Sequence, residues 1–298
     1  MFVTLVAVVV ALVLGHVAPA FVRAMRRYAW YEAWLQRLSV RFPDEASFWR
    51  GRHGIALALL PPLLLVASLQ WLLHAPLLGL PGLLFGILVL VYTWGPRDLD
   101  VDVEVIIDAH DPDTRRHAIA ALWPPGEVAR SDGAGLVEAV FRNALRRWFG
   151  VVFWFLLLGP FGAMLYRLAA LSSEGDYARW LPPRTLEGAR RLRDLLEWPV
   201  AQLMTGSMAL VGNFDTVFAA WRAAGGAIWQ SSIAFLWQAA RASVRGELQE
   251  EADDYASAGL VPVMGDLPEL HDAMSLVWRI LLLWLAVMAL FVIAGWVS

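Results

Sequence analysis

The chain has 298 residues, 59% of them hydrophobic and 17% charged, with a formal net charge of −3. A soluble domain carries about a quarter charged residues, so the composition points to a membrane, and the charge gives no case for nucleic-acid binding. Cys is absent, which excludes disulfides, thiolate metal ligands and a Cys nucleophile; all 24 basic residues are Arg, which excludes a Schiff-base lysine and the lysine of a phosphate-binding loop.

A spanning helix needs roughly 17–25 mostly apolar residues. Residues 2–20 form the first such run. No side-chain charge precedes it, whereas Arg23, Arg26 and Arg27 follow it, so it reads as a retained anchor rather than a signal peptide. Arg37, Arg41, Arg50 and Arg52 extend the basic loop, which the positive-inside rule places in the cytoplasm, with the N-terminus outside. Residues 54–73, interrupted by Pro61 and Pro62, and 77–94 then form a helical hairpin that returns to the cytoplasm.

Just past the hairpin stand Asp98, Asp100, Asp102 and Glu104. On a helix they form two pairs, 98/102 and 100/104, about 160° apart around the axis. A four-ligand metal site from this run is therefore not expected, and acids at a helix start suit the positive end of its dipole. Asp111-Pro112-Asp113 marks a turn and N-cap between two short helices, with His110 and His117 on a surface turn. Residues 135–147 predict a helix with Glu138, Arg142 and Arg146 at i, i+4 spacing.

Residues 148–171 are the difficult stretch. A full crossing would put Arg179, Arg184, Arg190, Arg191 and Arg193 outside, against the positive-inside rule. Gly159-Pro160 and Gly162 supply a break, so the segment is expected to insert and return. Beyond it, a helix is expected to begin near Thr185 as N-cap and end near Pro199. An amphipathic, Trp-rich helix pair with Gly225-Gly226 inside covers 214–248, and the acidic stretch 247–257 reads as a solvated loop. The last span is 276–297. The expected fold is all-α: one polytopic helical membrane domain over 1–298, with about four full spans, one inserted segment and cytoplasmic helical loops.

Val137-Glu138, Val140, Asn143, Phe153-Trp154, Gly159-Pro160, Gly162-Ala163 and Tyr166-Arg167 together resemble the central motif of the CobD/CbiB family of cobalamin-biosynthesis membrane synthases. Residues 191–203 resemble that family's next block. Where the family motif has acids, this chain has Arg142 and Arg146, and its later Asn is Glu197. A kept scaffold with lost acids resembles the AmpE family, as do residues 97–104 and 273–279. That resemblance implies a multi-pass protein of the bacterial inner membrane, a signalling modulator of β-lactamase induction linked to muropeptide recycling. It implies no catalysis, a muropeptide-like or nucleotide ligand and a cytosolic amidase as partner, and leaves a homo-oligomer open. The alternative is an ATP- and Mg²⁺-dependent amide-forming synthase related to adenosylcobinamide-phosphate synthase. The expected ligand-binding residues are Arg97, Asp98, Asp102, Glu138, Asn143, Tyr166, Arg167, Arg191 and Asp194. No catalytic residue, metal ligand or cofactor is assigned. Mg²⁺ and ATP enter only with the synthase, Glu138, Asn143, Asp98 and Asp102 then surrounding the metal and Arg167 meeting a phosphate.

Overall fold

The computed structural model describes residues 5–11, 28–44, 46–73, 80–94, 99–228, 232–257 and 267–294. Most of the first apolar run, the turn of the hairpin, Arg97 and Asp98 lie outside these residues. The described chain is all-helical, without a strand. Its longer helices are α1 (Ala29–Arg41), α2 (Ile55–Leu72), α3 (Leu80–Thr93), α4 (Leu99–Ile107), α5 (Pro112–Ala121), α6 (Gly133–Ala144), α7 (Gly150–Leu158), α8 (Pro160–Ser173), α9 (Pro183–Val211), α10 (Phe214–Ala223), α11 (Ala234–Ser257) and α12 (Pro268–Ile293). They form two compact units: residues 1–98, 146–196 and 289–298 in one, 99–145 and 197–288 in the other.

The first unit is built around α8, which packs on α7, α2 and α3. Its core holds Tyr31, Leu35, Trp49, Leu59, Leu63, Met164 and Leu168. The α7–α8 connection is the break expected at Gly159-Pro160. Gly159 has φ 68°, a left-handed value open to glycine, and Pro160 begins α8, where a missing backbone donor costs nothing. At 1.5 Å per residue, the nine residues of α7 and fourteen of α8 are each too short for a ~30 Å hydrocarbon core. The exposed ends are satisfied by Gln70 of α2: its amide accepts from Phe161 N at 2.9 Å and donates to Leu158 O at 3.2 Å. Gly162 lets the two helices close, since a Cβ there would lie 2.1 Å from Trp154 O.

Two described helices, α2 and α12, are long and apolar enough to cross a membrane. Only 28% and 33% of their apolar windows are buried, unlike the core helix of a soluble protein. Leu64, Leu65, Trp71 and Leu72 of α2 face outward. The described part of the third run, α3, has 14 residues.

In the second unit α11 packs on α10 and α6, and α4 on α5 and α6. The expected cap of α5 forms: Asp111 accepts from Thr114 N at 2.9 Å, with Pro112 in the first turn. Asn213 caps α10 in the same way, accepting from Thr216 N at 3.1 Å.

Three local expectations are corrected. Pro199 does not end its helix; α9 runs through it to Val211, showing that packing overrides the roughly 3 kcal/mol propensity cost of an interior proline. Thr185 is not an N-cap but sits inside α9, where its hydroxyl donates to Trp49 O and, at 3.1 Å, to Gly51 O. The acidic stretch 247–257 is not a loop but the last turns of α11, as the helix propensity of Glu, Gln, Leu and Ala allows.

Candidate functional site

In the second unit, Glu138 is enclosed by arginines. Its carboxylate accepts from Arg142 at 3.0 Å and from Arg241, and lies 3.5 Å from Arg130. The Glu138 side chain is 12% exposed, Arg142 15% and Arg241 20%, so these ion pairs are screened far less than surface ones. Arg142 also donates to Glu127 at 2.6 Å and lies 5.0 Å from the Trp123 ring centroid. Arg130 completes its pairing with Asp132 at 2.9 Å, which holds that carboxyl below its usual range. Arg241 Nε donates to Ala134 O at 3.1 Å. Three guanidinium groups therefore face three carboxylates, and the one at the centre is Glu138.

The expected Glu138–Arg142 pair forms, but Arg146 does not extend it. Helix α6 widens into a π-type turn over Leu145–Phe149, which breaks the i, i+4 register. Arg146, in the first unit, pairs with Glu174 instead, at 2.5 Å.

Asn143 acts as a brace, its amide donating to Leu122 O and Ala139 O, both at 2.8 Å. Asp102 is buried on α4 while Glu104 is exposed, so the acidic run is divided between faces as its spacing predicts. Asp100 accepts from Trp278 Nε1 at 2.9 Å. Among the described residues, no three of His, Asp and Glu come together as a metal site. Both Glu138 carboxylate oxygens are already engaged, one by Arg142 and the other by Arg241.

Tyr166, Arg167, Arg191 and Asp194 belong to the first unit. Arg191 and Asp194 do not pair with each other. Arg191 takes Glu187 one turn earlier on α9, and Asp194 accepts from Arg193 at 2.7 Å; the Glu-before-Arg i, i+4 order is the favourable one. Tyr166 is fully buried against Gly150, where a Cβ would lie 2.2 Å from the phenol ring. Arg167 is also buried, 6% exposed, with its guanidinium 5.8 Å from the Tyr28 ring centroid. Its Nε has no hydrogen-bond partner among the described residues.

Sequence reasoning missed Arg130 and Arg241 at Glu138, and the Tyr28 ring near Arg167. Arg130 carries no spacing signal toward α6, and Arg241 is 103 residues away in sequence. Tyr28, at the start of α1, lies far from Arg167 in sequence, so no spacing signal joins the two.

The chain matches no family model, and no solved structure matches it. It is 29% identical over 266 residues to the cobalamin biosynthesis protein CobD of Stutzerimonas stutzeri, covering 83% of this chain and 84% of that protein. It is 30% identical over 191 residues to the CobD of Chromobacterium violaceum, covering 60% of this chain and 59% of that protein. These similarities support a relation of the chain to CobD/CbiB, the broader of the two families that its motifs resemble.

Proposed function

We propose that the chain is a multi-pass inner-membrane protein serving cobalamin-type biosynthesis, and that it binds a corrinoid precursor without holding a metal ion at Glu138. The alignment with a CobD protein over 83% of the chain supports the pathway. The enclosure of Glu138 by Arg130, Arg142 and Arg241 supports the second half. Residues 148–171 serve this role as a broken, inserted hairpin, because neither α7 nor α8 spans a bilayer and Gln70 shields their free backbone groups. The N-terminus is outside and the Arg-rich loops are cytoplasmic.

The test is binding of a corrinoid acid precursor to the purified protein, with and without ATP and Mg²⁺. Saturable binding that survives chelation and Glu138→Gln agrees with the proposal. Binding that requires Mg²⁺, or an amide product whose formation is lost in Glu138→Gln, restores the metal-dependent synthase and overturns it. A second reading, the AmpE-type modulator of β-lactamase induction, is favoured by one observation: Arg142 and Arg146, where the synthase motif carries acids, are both engaged in ion pairs. Stabilisation by an anhydro-muropeptide, with no response to the corrinoid, would select that reading.

A further inference from the structure

Helix α10 belongs to the second unit and is held there from one side. Val217 is fully buried, and α11 packs along the helix. Trp221 Nε1 donates to Gln202 at 2.9 Å, and the Gln202 amide donates to Gly226 O at 2.7 Å, which fixes the end of α10. The other side is apolar and uncovered. Phe214, Phe218 and Arg222 recur every four residues, so they lie along one edge of the helix. Phe214 is 56% exposed and Phe218 45%. Their rings stack 5.6 Å apart, and Phe218 meets Trp221 at 5.3 Å. Leu210, just before the helix, is 73% exposed. Single apolar side chains scattered on a surface need no explanation, but a contiguous aromatic ladder marks an interaction surface.

The level of this ladder against a bilayer follows from α12, which is long and apolar enough to cross one. Its uncharged stretch begins after Trp278 and Arg279, residue types that gather at a membrane boundary. Arg279 donates to Val211 O at 3.3 Å and pairs with Glu247 of α11 at 2.6 Å. Val211 shortly precedes Asn213, the cap of α10. Helix α10 therefore starts at the height where α12 enters the apolar layer. An aromatic edge that ends in an arginine suits that level: the rings enter the boundary between headgroups and acyl chains, and the guanidinium stays with the phosphates. A protein partner on this edge would have to dock at the same level, in place of lipid.

We infer that α10 lies in the plane of the bilayer surface, with its Phe214–Phe218 edge seated in lipid and its α11 side turned to the protein. The occupant of the edge is phospholipid of the leaflet that α12 enters. At 1.5 Å per residue the ten residues make an anchor ~15 Å long, and the apolar face of such a helix sinks about 5–10 Å. The second unit thereby holds the bilayer by a surface helix besides α12. The inference rests on the membrane reading of α12 and is independent of the corrinoid.

The chain has no Cys, so a single introduced cysteine carries a nitroxide spin label without background. Phe214→Cys, Phe218→Cys and Leu210→Cys are compared with Leu282→Cys on the outward side of α12 and Asp113→Cys on the exposed side of α5. The full-length protein is placed in nanodiscs of phosphatidylcholine and phosphatidylglycerol. Power-saturation spectroscopy then compares collisions with oxygen, which partitions into lipid, and with a water-soluble nickel chelate. The labels at Phe214, Phe218 and Leu210 should favour oxygen over nickel several-fold relative to the Asp113 label, at a depth shallower than Leu282. Three positions keep the test open if one substitution hinders folding. With the Leu282 label in lipid, nickel access at these positions equal to that at Asp113 puts the edge in water and overturns the inference alone. Labels shielded from both reagents place a second copy or another protein on the edge and overturn it too. If the Leu282 label is itself open to nickel, α12 does not cross, and the membrane reading falls together with the inference.

Discussion

Replacing Glu138 by Gln removes the charge at the centre of three guanidinium groups while keeping its shape. Arg142 and Arg241 each lose a charge-assisted hydrogen bond, with a net contribution of about 1.5–3 kcal/mol apiece. Arg142 retains Glu127 at 2.6 Å, which moderates its share. Arg130 is 44% exposed and 3.5 Å away, so solvent screening holds its share below about 1 kcal/mol. The sum, about 3–5 kcal/mol, agrees with the cost of breaking a buried pair by deleting one partner. In a chain of this size that lowers the unfolding midpoint by on the order of 10 °C. The 16 Trp residues make intrinsic fluorescence a suitable readout for the detergent-solubilised protein. A double-mutant cycle with Arg241→Met should give a coupling of about 1.5 kcal/mol or more. A loss in Glu138→Gln below about 1 kcal/mol, or a Mg²⁺-dependent stabilisation of wild type that Glu138→Gln abolishes, would refute the assignment of Glu138 as an ion-pair hub.

Other predictions concern the break, the charge at α12 and the topology. Gly162→Ala places a methyl group 2.1 Å from Trp154 O, and its midpoint should fall by the equivalent of about 3 kcal/mol or more, since backbone must move. Gln70→Leu leaves Phe161 N and Leu158 O without their side-chain partner and should cost about 1–3 kcal/mol in a midpoint measurement. Asp272 has its carboxyl raised above the usual value by burial, then by Glu247 and Glu251. The folded chain therefore binds that proton more tightly than the unfolded chain, and stability is lost as pH rises through the folded value. Asp272→Asn should accordingly raise the midpoint at pH 8 relative to wild type, with the gain vanishing below about pH 4. A single cysteine placed at exposed Asp176 in this Cys-free chain should be protected from an impermeant thiol reagent in intact cells and labelled after permeabilisation.

Where a few adjacent residues determine the backbone, the fold was legible from sequence. Asp111-Pro112 announced its helix cap because capping is local, and Gly159-Pro160 announced the break because glycine takes the left-handed turn and proline starts the next helix. The Glu138–Arg142 pair followed from helical spacing, yet its wider environment did not. Arg241 arrives from α11, and the π-type turn at Leu145–Phe149 diverts Arg146 from a register that assumed uniform pitch. Pro199 and the acidic end of α11 show the converse: a local breaker and a polar stretch both yielded to a long helix. Burial of Arg167 was foreshadowed by its apolar segment, but that the Tyr28 ring faces it depended on how the start of α1 packs.

The most direct test of the account is equilibrium binding of a corrinoid acid precursor to the purified wild type and Glu138→Gln, each with ATP and Mg²⁺ or with a chelator. Saturable binding of similar affinity in all four conditions is the predicted result. Binding or amide formation that requires Mg²⁺ and disappears in Glu138→Gln would contradict it, as would the absence of corrinoid binding altogether.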